Sequence, residues 1–288
     1  MDNILEVQHL TKRYKSSDFR LHDITFNVPY GAIVGLVGVN GSGKTTTLST
    51  ILGSRFKDTG NITIFGKEMC DKDIKIRDHI GVVFDANCFS KNLTGIQVSK
   101  VCGDIYSEWD EKRFLELLDR FKLPKKKKLG NFSRGMTMAL CISVAFSHNA
   151  SLLILDEPTG GLDPLVRDDM LGLFLEFVGD ENKSILFSSH ITSDLEKIAD
   201  YITFIDNGKT LLNETKDKII YEYGIIHCGK KQIDQLKAED ILGYVERDYE
   251  YQVLVQNRKL FEKKYPELII DNPSLDEALL LLVRGDVA

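Results

Sequence analysis

An α/β fold around a mostly parallel sheet is what this sequence predicts, on three observations. Short apolar runs at 32–37, 80–84, 152–155 and 184–187 are followed by Gly, Asp or Ser, and continuous rather than alternating hydrophobicity marks strands buried on both faces. A glycine-rich stretch, GVNGSGKTT at 38–46, follows the first run directly. Alternating segments at 4–9 (ILEVQH), 21–28 (LHDITFNV) and 61–67 (NITIFGK) flank that stretch and add an antiparallel β-subdomain. In parallel sheets chemistry gathers at the carboxyl ends of the strands, which is where Gly38, Asp85, Asp156 and His190 fall.

The remaining elements follow from periodicity and capping. Between about 88 and 149 the pattern turns helical: FLELLDRF at 114–121 and MTMALCISVAF at 136–146 repeat apolar residues every three or four positions, which predicts a helical insertion. Asp163 before Pro164 is an N-cap with proline at the first helical position, opening LVRDDMLGLFLEF. ITFIDNGKTLL at 202–212 carries Asn207 and Gly208 where a tight hairpin needs positive φ. From about 216 charge-rich helices alternate with short strands such as YQVLV at 251–255, and Ser274 with Glu277 forms a capping box for SLDEALLLLV. The chain therefore divides into a main unit over 1–215 and a small C-terminal α+β appendage over 216–288.

Composition narrows the class. The 288 residues are 43 % hydrophobic with a net charge of −6, which suits a globular core and argues against a nucleic-acid groove as the main surface. The lysine run at 125–128 reads first as a solvated loop and second as a site for acidic partners or lipid heads. The five cysteines, Cys70, Cys88, Cys102, Cys141 and Cys228, show no CxxC pair, which fits a reduced cytosolic compartment. Met1 is followed by DNILEVQHL, without a basic start or an apolar core, and nowhere do 18 apolar residues run together. Neither a secretory signal nor a membrane span is expected.

The glycine-rich stretch fits GxxxxGK[ST] through Gly38, Gly43, Lys44 and Thr45, and it follows a predicted strand, so a P-loop NTPase core is expected. Gly38, Val39, Asn40, Gly41, Ser42, Gly43, Lys44, Thr45 and Thr46 are assigned to a nucleoside triphosphate. Glycines let successive N–H groups turn inward around the β-phosphate, the Lys44 ammonium reaches the β and γ oxygens, and the Thr45 hydroxyl holds Mg²⁺. A helix is expected from about Ser42, its positive end aimed at the phosphates. SLLILDEP at 151–158 supplies the acidic partners: Asp156 to position Mg²⁺ and Glu157 to accept the proton of an attacking water.

These motifs in this order, with FSRGM at 132–136 and GLD at 161–163, resemble the ATP-binding subunits of ABC transporters over roughly residues 2–215. The signature pentapeptide, with its basic residue and Met, is similar to the drug and peptide-antibiotic exporter branch. The resemblance implies an ATPase working as a head-to-tail dimer of ATP-binding subunits, docked on a separate transmembrane permease at the cytoplasmic face of the cell membrane. It implies that Ser133 and the Gly135 amide complete the γ-phosphate site of the second subunit. His190 corresponds to the switch histidine at the γ-phosphate, Asp163 to the loop linking the two sites, and Tyr14 to the aromatic that stacks on adenine. The region from Asp85 to Ser99 would receive the permease's coupling helix. Asp85 departs from the family, which has glutamine there: the carboxylate either binds Mg²⁺ directly or repels the γ-phosphate and slows turnover. Two rival readings are a soluble ATPase of this type acting on ribosomes or nucleic acid, and a nucleotide-gated regulatory subunit with slow hydrolysis.

Overall fold

Side-chain alternation along buried strands sets up the layers of this molecule. The computed structural model describes residues 2–14, 17–69, 74–84, 89–247 and 250–285. Along the chain come β1 (Asn3–Tyr14), β2 (Ser17–Pro29), β3 (Ile33–Val37), α1 (Lys44–Ile51), β4 (Thr59–Ile64), β5 (Lys67–Glu68), α2 (Ile74–Asp78) and β6 (Ile80–Val83). Helices α3 (Gly95–Ile105), α4 (Glu111–Arg120) and α5 (Arg134–Ala145) precede β7 (Leu152–Asp156), α6 (Pro164–Val178), β8 (Ser184–Ser189), α7 (Thr192–Ile198), β9 (Tyr201–Asp206) and β10 (Lys209–Thr215). The remainder adds α8 (Lys216–Tyr221), β11 (Gly224–Cys228), α9 (Lys230–Ile233), β12 (Ile241–Glu246), β13 (Tyr251–Val255), α10 (Arg258–Lys264), β14 (Ile269–Asp271) and α11 (Leu275–Arg284).

Three sheets result. The central one has the order β10-β9-β3-β8-β7-β6, with β9, β3, β8, β7 and β6 parallel and β10 antiparallel at the edge. Every residue of β3 and β7 is buried, and successive side chains enter opposite layers. Ile33 and Val37 of β3, with Leu153 and Leu155 of β7, join the core under α3 to α7. Val34, Leu36, Leu152 and Ile154 instead pack against α1 and the antiparallel sheet β2-β1-β4-β5. The parallel strands therefore end on one edge, where the loops after β3, β7 and β8 meet.

Helix α1 starts at Lys44, two residues later than the sequence spacing suggests. The reason is Gly43, which caps it at φ 115° and ψ 3°, outside the helical region. The hairpin between β9 and β10 adopts positive φ at Asn207 (46°) and Gly208 (72°). Gly208 donates its N–H to Ser42 O (2.8 Å) and accepts from His22 N–H (2.7 Å), so the turn is pinned between the glycine-rich loop and β2. A Cβ on Gly208 would lie 1.9 Å from Arg20 O, which leaves room for glycine alone.

The third sheet, β12-β13-β11-β14, is antiparallel. On one face Ile226, Val253, Val255 and Phe261 form a core of their own. From the other face Ile225 and Leu254, with Leu275, Ala278 and Leu279 of α11, join the core that contains Leu195 and Ile198 of α7. Ser274 and Glu277 make the capping box of α11, and Leu275 N–H donates to Glu196 Oε1 at 2.8 Å. Among the described residues no helix is long and apolar enough to cross a membrane.

Candidate active site

An open cleft of about 590 Å³ lies at the strand-end edge, lined by Phe19, Asn40, Gly41, Gly43, Lys44, Thr45, Thr46, Arg134, Glu157 and His190. The loop after β3 shapes its floor. Gly41 and Gly43 hold φ of 83° and 115°, a region that residues with a Cβ enter at a cost of about 1 to 2 kcal/mol. Gly38 is needed for closeness: a Cβ there would fall 2.2 Å from Ile205 O and 2.5 Å from Ser42 Oγ. Ser42 itself is buried with its side chain against Gly38, while Val39 is 43 % exposed. The first N–H groups of α1 have no intrahelical acceptors and point out of its N-terminus, which favours anions.

Lys44 is buried, with its ammonium donating to Gly38 O (2.7 Å) and Val39 O (3.3 Å). Glu157 Oε1 lies 3.4 Å from the same nitrogen. The other carboxylate oxygen, Oε2, is bonded to His190 Nδ1 at 2.6 Å. Glu157 thus bridges the lysine that opens α1 and the histidine that follows β8. Its backbone sits at φ 50°, a strained conformation for a glutamate. That conformation is held by its N–H on Ser188 O (3.1 Å) and by its carbonyl accepting from Gly160 N–H (3.1 Å).

Behind this chain Asp156 closes β7. Thr45 Oγ1 donates to Asp156 Oδ2 at 2.7 Å, and the hydroxyl of Ser188 donates to Oδ1. A threonine hydroxyl and a carboxylate are hard oxygen donors, the type Mg²⁺ accepts while keeping waters and phosphate oxygens in its other positions. Thr45 and Asp156 therefore fit the ion.

Other residues singled out from the sequence fall elsewhere. Ser133 caps α5, its hydroxyl accepting from Met136 N–H at 3.2 Å, and Asp163 caps α6, accepting from Val166 N–H at 3.2 Å. Neither they nor Gly135 border the cleft of their own chain among the described residues. Tyr14 does not border it either: its ring lies beside Lys12 Nζ (5.7 Å) and the Arg55 guanidinium (5.4 Å). The aromatic found at the cleft is Phe19, whose Cζ would lie 3.1 Å from a Cβ on Gly43. Asp85 lies outside the described residues. Sequence reasoning missed Phe19 and Ser188. For Ser188 the one available signal was the Ser188-Ser189-His190 run ending β8.

A P-loop with a buried lysine, a Thr–Asp pair and a glutamate at the adjacent strand end defines a nucleoside-triphosphate hydrolase of the P-loop class. Comparison with known proteins makes the class specific. The ABC transporter family profile matches residues 21–160. The bacitracin transport ATP-binding protein of Bacillus licheniformis is 36 % identical over 213 residues, covering 73 % of this chain and 69 % of the relative. The lantibiotic transport ATP-binding protein of Streptococcus pyogenes is 33 % identical over 216 residues, covering 74 % of this chain and 92 % of the relative. A solved ATP-binding subunit of an ABC transporter superposes with a TM-score of 0.68 at 30 % identity, covering 75 % of this chain and 91 % of that one. The chain belongs to the ATP-binding subunits of ABC transporters, and its chemistry is ATP hydrolysis coupled to transport.

Proposed function

We propose that this subunit cleaves ATP with Glu157 as the base, in a head-to-tail pair docked on a transmembrane permease, and that it drives export of peptide antibiotics. The observation that carries the reading is the Glu157 carboxylate held between Lys44 and His190 at the mouth of the P-loop. In that position its oxygens can accept the proton of a water placed on the γ-phosphate, with His190 beside the same phosphate. Mg²⁺, held by Thr45 and Asp156, would neutralise charge on the β and γ oxygens. Lys44 orients those oxygens, and Asp156 is kept in register by Thr45 and Ser188. Ser133 and the Gly135 amide at the start of α5 would cover the partner subunit's γ-phosphate, and Asp163 would pass between the two sites. Tyr14 or Phe19 would meet the adenine, Phe19 being the one at the cleft.

An apolar groove of about 210 Å³ beside Leu52, Met69, Arg77, Val82 and Phe84 suits a short helix from the permease, which would hold the subunit at the cytoplasmic membrane face. The bacitracin and lantibiotic relatives supply the peptide-antibiotic class. Rates of ATP hydrolysis in wild type, Glu157→Gln and Asp85→Gln test the chemistry. Glu157→Gln should be nearly inactive, Asp85→Gln should alter the rate while leaving binding intact, and a Glu157→Gln protein as fast as wild type would sink the base assignment. Pull-down from solubilised membranes tests the partner: a multi-span membrane protein is expected, and ribosomes in its place would overturn the transport reading.

A further inference from the structure

We propose that Lys91 and the run Lys126, Lys127 and Lys128 form a docking surface for anionic lipid headgroups, which steadies the subunit against the bilayer beside the permease. The proposal rests on the membrane-face docking read above for its setting. No Asp or Glu occurs between Asp85 and Asp104, nor between Asp119 and Asp156, in a chain with 43 acidic residues and a net charge of −6. The fold lays these two stretches side by side. Leu129 N–H donates to Leu93 O (2.8 Å) and Gly130 N–H to Lys91 O (2.9 Å), and Thr94 forms a β-bridge with Lys128. A Cβ on Gly130 would lie 3.3 Å from Lys91 Cβ, which puts Lys91 next to the run. Lys127 N–H donates to Pro124 O (3.3 Å), closing a turn that carries the lysines outward.

Lys125 is taken up by the fold, its ammonium meeting Asp119 at 2.7 Å. Lys91, Lys126, Lys127 and Lys128 are exposed and, among the described residues, meet no carboxylate. The nearby aromatic residues, Phe89, Phe121 and Phe132, pack against the core, which removes the stacking faces a single-stranded nucleic acid needs. What is left is a group of strongly hydrated point charges. Such charges suit a diffuse anionic surface, and the cytoplasmic leaflet is one: each lysine close to it tightens binding about fivefold. The chain as a whole is acidic and is repelled by the same surface, so this patch also sets which face turns toward the bilayer. Phe84 of the groove assigned to the permease helix lies seven residues before Lys91, so at most about 25 Å separates the two.

Co-sedimentation of the full chain with vesicles tests the surface without any permease. Wild type should bind phosphatidylcholine vesicles containing about 30 % phosphatidylserine, ignore pure phosphatidylcholine, and dissociate at about 0.5 M salt. Lys126→Gln/Lys127→Gln/Lys128→Gln should weaken binding on the order of tenfold to a hundredfold, and Lys126→Arg/Lys127→Arg/Lys128→Arg should retain it. Lys230→Gln/Lys231→Gln/Lys237→Gln removes the same charge from exposed positions of the C-terminal region and should bind as wild type does. Equal losses in the two glutamine triples would reduce the effect to net charge and overturn the proposal, as would a Lys126→Gln/Lys127→Gln/Lys128→Gln protein that binds like wild type. Tighter binding of a single-stranded RNA oligonucleotide through the same lysines would overturn it in favour of nucleic acid. Wild type that captures a permease yet ignores the phosphatidylserine vesicles sinks the lipid surface and leaves the docking reading standing. Vesicle binding with no membrane protein captured supports the lipid surface and sinks the docking reading.

Discussion

The nucleotide cleft and the C-terminal region are built on opposite terms, and both end on α7. The cleft is polar and open, and its parts are held by hydrogen bonds between strand ends that are distant in sequence: Thr45 meets Asp156, and Glu157 meets His190. The C-terminal region is held by apolar packing of Leu275, Ala278 and Leu279 against the core that includes Leu195 and Ile198, with polar contacts to Glu196 from Leu275 N–H and from the Lys216 ammonium. Helix α7 begins two residues after His190, so the histidine bonded to Glu157 and the surface that receives α11 belong to one continuous segment. Catalytic parts are specified by residue type at fixed places, whereas attachment is specified by shape and hydrophobicity over a broad face.

Substitutions can break this contrast, the largest effect first. Glu157→Gln should lower the rate of ATP hydrolysis by about 10²- to 10⁴-fold while the thermal unfolding curve stays close to wild type, because no apolar contact is lost. Leu275→Ala should do the reverse: deleting a fully buried leucine destabilises by about 2 to 5 kcal/mol, read in urea unfolding, with nucleotide binding retained in the folded fraction. A wild-type midpoint for Leu275→Ala would show that α11 is not integral to the main core. Glu196→Ala should cost about 1 kcal/mol, the value of a lost helix-terminal acceptor, and fluorescence unfolding in denaturant would detect it.

The smallest effect is set by pH. Burial pushes the His148 imidazole below its ordinary value of 6.5, and its Nε2 is buried with no hydrogen-bond partner among the described residues. Its ring stacks on Tyr106 at 4.0 Å. The unfolded chain takes up a proton near the ordinary value and the folded chain resists it. This contribution to stability is therefore complete above about pH 6.5 and declines as pH falls below it, by at most about 1.4 kcal/mol per pH unit. Below about pH 6.5 the unfolding midpoint of wild type should fall more steeply with pH than that of His148→Gln.

Much of the fold was legible because its signals are local. The caps at Asp163 and Ser274 and the Asn207–Gly208 turn depend on three or four adjacent residues, and they occur as expected. The start of α1 was misjudged by two residues because the φ of Gly43 is set by its surroundings, Leu21 and Phe19 crowding the position where a Cβ would stand. Phe19 at the cleft and Ser188 under Asp156 were not legible, since each reads in sequence as an ordinary strand residue. The ring of Tyr14, whose place in the sequence favours adenine, lies beside Lys12 and Arg55, a neighbourhood that local pattern does not encode.

Sequence alone determined that this chain binds a triphosphate and which family it resembles, because phosphate binding requires particular residue types at fixed spacing along one loop. Tertiary structure decided three other matters: that Glu157 sits between Lys44 and His190, that Phe19 borders the cleft, and that the last helix buttresses α7. Each is a meeting of segments far apart in the chain. Such meetings depend on how the strands are ordered and which face each one buries, and no local pattern of residues encodes them.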